Sequence, residues 1–314
     1  MDVASRRRHL VPTVMQKLID GVQSALNPHS LEASVVAHLT WVLVIGSAVI
    51  LILVIVLTAF ALRSRPAWLA RERSVVLGGI AFPVVVLSTL LGWSAIVSSS
   101  PEKAADLTIR VVGQQWWWRV QYLSPDGSTD FETANELRLP VGKRVELELE
   151  STDVLHSFWV PGLAGKRDLV PGRVNRLAFT PNAAAELRGQ CAEYCGGPHG
   201  QMGLQVVTLP AADFSEWQQA QRRPAASGPR PFDALCATCH TVRGTSATGT
   251  LGPDLTHVAS RLSIGAGVLP TSVDNFERWI SQSQHLKPGN LMPSFREIPA
   301  QELNELARYL ASLR

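Results

Sequence analysis

The chain has 314 residues, a formal net charge of +3 and 46% hydrophobic residues. That length accommodates two or three domains, and the near balance of charge gives no argument for a nucleic-acid partner. Its four cysteines fall in two short clusters, Cys191/Cys195 and Cys236/Cys239, as metal or cofactor ligands do and disulfide frameworks do not.

Residues 1–34 open with Arg6-Arg-Arg-His9 and a mixed run from Leu10 to Leu26, a candidate leader whose apolar core is interrupted by Pro12, Gln16, Lys17 and Asp20. Val35 to Leu62 then carries no Asp, Glu, Lys or Arg, and Ser74 to Pro101 is a second uncharged run containing Pro83. Both are long enough to cross a hydrocarbon core of roughly 30 Å and are apolar all round, so residues 35–100 are predicted to form a transmembrane hairpin in membrane lipid. The connecting loop holds Arg63, Arg65, Arg71 and Arg73 with Glu72 its only acid. The positive-inside rule places that loop in the cytoplasm and everything after residue 100 outside.

From residue 101 to about 212 the pattern changes to short alternating runs broken by Gly, Pro and Asp. Strands are predicted at Leu107 to Val112, Trp117 to Tyr122, Leu137 to Leu139, Val145 to Leu149, Arg173 to Phe179 and Gly203 to Leu209, which makes a β-sandwich or barrel. Within it, Gln190 to Met202 gathers Cys191, Cys195, His199 and Met202, and His156 stands at the end of the run from Val145 to Leu155. Soft sulfur beside imidazole selects copper, zinc or iron–sulfur. A mononuclear blue-copper site uses one thiolate, two imidazoles and a weak axial Met; this set has one Cys too many and suits two coppers bridged by both sulfurs. A disulfide or a structural zinc is the plainer alternative, but neither uses the Met.

Residues 213–230 read as a helix end running into a flexible linker. Cys236-Ala-Thr-Cys239-His240 has the spacing of a c-type haem attachment site, and Asn290-Leu-Met292-Pro-Ser supplies a second axial ligand downstream. His/Met ligation raises the potential of haem iron. Leu303, Leu306, Ala307, Leu310 and Leu313 at three-to-four spacing predict an amphipathic helix over Glu302 to Leu313, within a cytochrome-like domain spanning 231–314. His257 and His285 have no such framing and read as surface or loop residues.

Three stretches, His156-Ser-Phe-Trp-Val-Pro, Gly165 to Arg173 and Gly189 to Met202, closely resemble subunit II of cytochrome c oxidase. The order membrane hairpin, copper domain, fused cytochrome c resembles the caa-type oxidases. The resemblance implies a cupredoxin β-sandwich and an all-α class I cytochrome c domain. It implies a binuclear copper A centre held by His156, Cys191, Cys195, His199, Met202 and the backbone carbonyl of Glu193. It also places the Glu193 side chain on a magnesium ion shared with subunit I. Haem c would be carried by Cys236, Cys239, His240 and Met292. In Gln115-Trp-Trp-Trp118, Trp116 takes the family's electron-input position, although Trp116 and Trp118 would share one face of a strand and Trp117 the other.

The resemblance further implies subunits I and III as partners, an external cytochrome c or similar donor, oxygen reduction with proton pumping in subunit I, and a bacterial cytoplasmic membrane with the copper and haem domains on its outer face. Where many family members carry a Glu early in the second helix, at the mouth of a proton path, this chain has Val76. It has Gln23-Ser-Ala-Leu26 but no Cys before it, so no lipid anchor is expected, while cleavage stays open. Quinol oxidase subunit II lacks the copper ligands and is excluded. An electron-donating subunit of a related nitric oxide reductase and a membrane-tethered copper-delivery protein remain as alternatives.

Overall fold

The computed structural model describes residues 21–69, 71–98 and 104–314. The part of the candidate leader at residues 1–20, Arg6 to Arg8 among them, lies outside the described residues, as does the predicted boundary near residue 100.

Helix α1 runs over Leu31–Ser64 and α2 over Glu72–Val97, with mean hydropathies of 3.1 and 2.3 in their most apolar stretches, none of which is buried. Helices with so much exposed Leu, Ile and Val need an apolar solvent, and both are long enough to cross a membrane. Residues Leu77–Ala81 of α2 form a π-turn just before Pro83. Proline lacks an N–H and its ring crowds the carbonyl four residues back, so the wider turn relieves the clash without breaking the helix. Among the described residues, the two helices from residue 34 onward form a compact unit apart from residues 21–33 and 104–314.

In that second unit, residues 21–33 lie against a β-sandwich. Arg188 N–H donates to Val22 O at 3.0 Å, and His29 N–H to Gly162 O at 2.7 Å. The sandwich has ten strands: β1 (Leu107–Gln114), β2 (Trp117–Leu123), β3 (Thr129–Ala134), β4 (Glu136–Pro140), β5 (Val145–Ser151), β6 (His156–Trp159), β7 (Arg167–Leu169), β8 (Asn175–Phe179), β9 (Ala185–Cys191) and β10 (Gly203–Leu209). They form two five-stranded sheets, ordered β3-β2-β1-β5-β8 and β4-β10-β9-β6-β7. Strand β5 shows why the sheets close on each other. Val145, Leu147 and Leu149 are buried, while Glu148 and Glu150, on the alternate positions, face Arg110, each at 3.0 Å. Trp118, Tyr122, Phe131, Phe158 and Phe179 fill the space between the sheets.

Strands β3, β6, β7 and β9 escape the sequence pattern. Ala185–Cys191 alternates correctly but exposes Glu186, Arg188 and Gln190 and turns a glycine inward, so little apolar signal remains. His156 does not end the run from Val145; a bend over Thr152 to Leu155 intervenes and His156 opens β6.

Beyond the sandwich, α3 (Ala211–Gln221) packs Trp217 edge-on to Tyr122 and Phe131, with ring centroids 5.2 and 5.6 Å apart. After residues 222–229 come α4 (Arg230–Leu235), a small hairpin of β11 (Ser263–Ile264) and β12 (Leu269–Pro270), α5 (Val273–Leu286) and α6 (Ala300–Ser312). Ser272 caps α5 by accepting the Asn275 N–H at 3.1 Å. Phe232, Val242, Phe276, Ile280, Leu306 and Leu310 make a second core, into which α6 turns the face that its sequence periodicity predicts. His257, expected on the surface or in a loop, lies in a turn but is buried, with Nε2 on Arg223 O at 3.0 Å, because the chain leaving α3 folds over it. His285 is exposed, as expected.

The two cores meet along a polar seam. Arg138 Nη2 donates to Ser260 O at 2.9 Å, Leu262 N–H to Glu136 Oε2 at 2.6 Å and Arg261 Nε to Thr133 Oγ1 at 3.1 Å.

Leu147→Ala, at the centre of the sandwich, should lower unfolding stability by about 2–5 kcal/mol. Chemical denaturation monitored by tryptophan fluorescence tests this; a loss below about 1 kcal/mol would mean that the sheets are not closely packed there.

Candidate metal centre

The β9–β10 hairpin brings the sulfur ligands together. Cys191 N–H donates to Met202 O at 3.0 Å, closing the loop at its base, and a 3₁₀ turn at His199–Gln201 folds the imidazole back toward the thiols. His156 joins from β6, which pairs with β9 through Phe158 and Cys191. The two Sγ atoms lie 3.7 Å apart, far beyond the roughly 2.05 Å of a disulfide. Cys191 Sγ is 3.8 Å from His156 Nδ1 and 3.2 Å from Glu193 O. Cys195 Sγ is 3.4 Å from His199 Nδ1 and 3.9 Å from Met202 Sδ. His156, Cys191, Cys195 and Met202 are all buried.

These distances exclude a disulfide and suit a metal held by both sulfurs. A metal–sulfur bond of about 2.3 Å would let both thiols, 3.7 Å apart, hold the same ion. A single structural zinc takes four ligands, whereas six donors gather here, the two sulfurs and the four groups beside them. Among the described residues, His156, Cys191 and Cys195 are the cluster whose ligand atoms could grip an ion, all within 4.8 Å of one another.

The electrostatics favour a first thiolate and resist a second. The hydrogen bond from Cys195 lowers the Cys191 pKa to about 3, with His156 helping against burial. The Cys195 pKa is raised, because its proton is held in the hydrogen bond to Cys191 and because burial and the Cys191 charge oppose a second ionisation. Metal cations supply the charge that lets both ionise. Burial opposes protonation of His156, but hydrogen bonds to Cys191 and Asp153 outweigh it and raise the pKa.

Asp153 is a site residue the sequence reading misses. Its Oδ1 meets His156 Nε2 at 2.8 Å and its Oδ2 accepts the Gln115 N–H at 2.7 Å. It thereby orients the imidazole so that Nδ1 faces the sulfurs. A short acceptor three residues before His156 was the available signal. Gln115 Nε2 and Trp116 Nε1 both donate to Cys195 O, at 2.7 and 2.9 Å. Trp118 is the core aromatic, fully buried, whereas Trp116 precedes β2 and lies over the metal loop. Gly196 makes that approach possible: its φ is +116° and a Cβ there would stand 2.9 Å from the Trp116 ring. The carboxylate of Glu193 points away from the sulfurs and pairs with Lys166 at 3.2 Å.

In the cytochrome-like domain, Cys236 follows α4 directly, with Cys239 and His240 in the turn beyond. His240 Nδ1 is fixed to Pro253 O at 2.8 Å, leaving Nε2 for an axial bond. Burial lowers its pKa, so the imidazole stays neutral as a ligand must. Gly252 lies against that ring, where a Cβ would be 2.5 Å from Cε1. Met292 sits in a pinned loop: its N–H donates to Asn290 Oδ1 at 2.9 Å, and its carbonyl accepts from Ser283 Oγ at 3.0 Å. Cys236 and Met292 pack against the same core, and both cysteines are free thiols. This donor set fits a covalently attached haem.

A cupredoxin-like sandwich with a clustered sulfur–imidazole site, joined to a cytochrome c domain behind two membrane-length helices, defines a membrane-attached electron-transfer protein. The family model for the periplasmic domain of cytochrome c oxidase subunit II matches residues 122–209, and that for cytochrome c matches residues 225–314. Cytochrome c oxidase subunit 2 of Alkalihalophilus pseudofirmus is 32% identical over 247 residues, covering 75% of this chain and 70% of its own. That of Bacillus subtilis is 29% identical over 255 residues with the same coverage. The chain belongs to the cytochrome c oxidase subunit II family, as a component of the oxidase complex. Its two domains are of the kinds that bind copper A and haem c. Among solved structures, the periplasmic domain of subunit II of cytochrome oxidase from Bradyrhizobium japonicum is 30% identical, covers 38% of this chain and 96% of its own, and superposes with a TM-score of 0.36.

Met202→Leu removes the thioether 3.9 Å from Cys195 Sγ but keeps the apolar volume. It should alter the electron paramagnetic resonance spectrum of the copper centre while leaving the haem c absorption bands in place. An unchanged copper spectrum would remove Met202 from the ligand set.

Proposed function

We propose that this chain is the electron-input subunit of a caa-type cytochrome c oxidase. A reduced external cytochrome or similar donor delivers electrons to a haem c on the C-terminal domain, from which they pass to copper A and on to haem a of subunit I. There oxygen is reduced to water with proton pumping, and subunit III completes the partners. The two helices sit in the bacterial cytoplasmic membrane with both redox domains on its outer face.

His156, Cys191, Cys195, His199, Met202 and the Glu193 carbonyl would hold the binuclear copper centre, and Cys236, Cys239, His240 and Met292 would hold the haem. Each group, when bound, supplies a one-electron couple. The chain's own residues fix where those couples sit. Asp153 orients His156, Pro253 O sets the tautomer of His240, and the buried hairpin keeps water from the sulfurs, which limits reorganisation when charge moves.

The position of Trp116 carries this reading. Its Nε1 donates to the carbonyl of Cys195 at 2.9 Å. Its ring edge lies 3.6 Å from where a Cβ of Gly289 would be, in the segment leading to Met292. One indole therefore touches both the metal loop and the cytochrome domain, the placement an electron relay needs. Glu193 would take a magnesium ion shared with subunit I by giving up its pairing with Lys166.

Fusion of the carrier replaces a bimolecular encounter with an intramolecular one. In the purified complex, oxidation of reduced haem c should be independent of protein concentration and only weakly dependent on salt, with two coppers and a mixed-valence signal per haem c. Stopped-flow absorbance gives the rate and metal analysis the copper. A rate proportional to concentration, or one copper or none per chain, would sink the relay.

A further inference from the structure

The cytochrome domain holds the loop that carries Met202 from both sides. Gly203, just after Met202, donates its N–H to Ala266 O at 2.9 Å. Gln201, just before it, sends Nε2 to Leu286 O at 2.9 Å and receives Lys287 Nζ on its own carbonyl at 2.8 Å. The same Nζ donates to Trp116 O at 2.6 Å and to Gly265 O at 3.1 Å. Lys287 thus ties the haem-binding domain to the electron-input tryptophan and to the copper loop in one step.

Lys287 is only 3% exposed. A buried ammonium is strongly unfavourable unless its donors are satisfied. Here three backbone carbonyls meet its three N–H bonds, where a neutral amine would have only two to offer. Desolvation lowers its pKa to about 7, a pull that the attraction of Cys195 opposes. The β11–β12 turn is shaped for the same contact. Gly265, Ala266 and Gly267 all have positive φ, at 65°, 64° and 86°. Ala266 lacks glycine's freedom to adopt that conformation. The turn directs the Gly265 carbonyl at Lys287 and the Ala266 carbonyl at Gly203. Neither domain's own core requires these bonds; they exist because the domains are docked.

We propose that Lys287 is a positioning residue that locks the haem-binding domain onto the copper-binding domain in one fixed orientation, setting the places of Trp116 and the Met202 loop. Electrons then cross a rigid interface without a search by a tethered domain. This rests on the relay proposed above, in which one electron leaves ferrous haem, making it ferric, and reduces the copper pair by one, with no proton or bond exchanged.

The test is Lys287→Met in the intact oxidase complex, with haem c and copper content first shown equal to the unsubstituted complex. Internal electron transfer, followed after flash reduction, should slow at least ten-fold and become slower still as glycerol raises the viscosity. The copper paramagnetic spectrum should shift, and the haem c bands should not. In the unsubstituted complex the rate should ignore viscosity. A Lys287→Met complex whose rate and viscosity response match the unsubstituted one overturns the proposal. Should that variant fail to assemble, Lys287→Gln keeps a polar side chain in the pocket, but its two amide N–H groups cannot meet the three carbonyls that Nζ meets. A slowed, viscosity-dependent rate there supports the lock and an unchanged one overturns it. Absence of the copper-pair signal from the unsubstituted complex would instead refute the relay itself.

Discussion

A single backbone hydrogen bond, Cys191 N–H to Met202 O, is the constraint on which the centre depends. It closes the β9–β10 hairpin at its neck and forces Cys195, His199 and Met202 to turn inside a short loop. Nothing in that loop is regular except one 3₁₀ turn, so its shape comes from the sheet beneath it. The sheet is held by apolar side chains packed between two layers, and the ligands sit where the packing ends. A site on loops braced by strands keeps its geometry when its charge changes.

Around the sulfurs lies a second arrangement that is less visible but equally directed. Asp153 links the imidazole of His156 to the backbone of Gln115. Gln115 and Trp116 both converge on the carbonyl of Cys195. Ligand, tryptophan and loop are therefore parts of one hydrogen-bonded system, and displacement of any member is felt by the others.

The cytochrome domain extends that system. It has its own core, yet its contacts with the sandwich are largely backbone carbonyls and amides met by charged or amide side chains: Arg138, Glu136, Arg261, Gln201 and Lys287. Such contacts are directional, and they fix orientation more than they add affinity. The helix α3 and its ion pair from Arg222 to Asp130 at 2.7 Å make the chain between the domains a braced segment over much of its length.

The sequence by itself determined which chemistry this chain could hold. Two Cys clusters, each beside His and followed by Met, specify soft-metal and haem ligation because those side chains are almost alone in offering such donors. The uncharged runs before residue 100 specify membrane-length helices, since burying that much apolar surface leaves no alternative. Tertiary structure alone decided what brings the donors together and what holds them. His156 opens its own strand, β9 conceals its pattern behind Glu186, Arg188 and Gln190, and Asp153 acts through a bend. Lys287 looks like an ordinary surface lysine in Leu-Lys-Pro-Gly. Its burial arises from the meeting of segments near residues 116, 201 and 265, and pairings across such sequence distances leave no local periodicity to read.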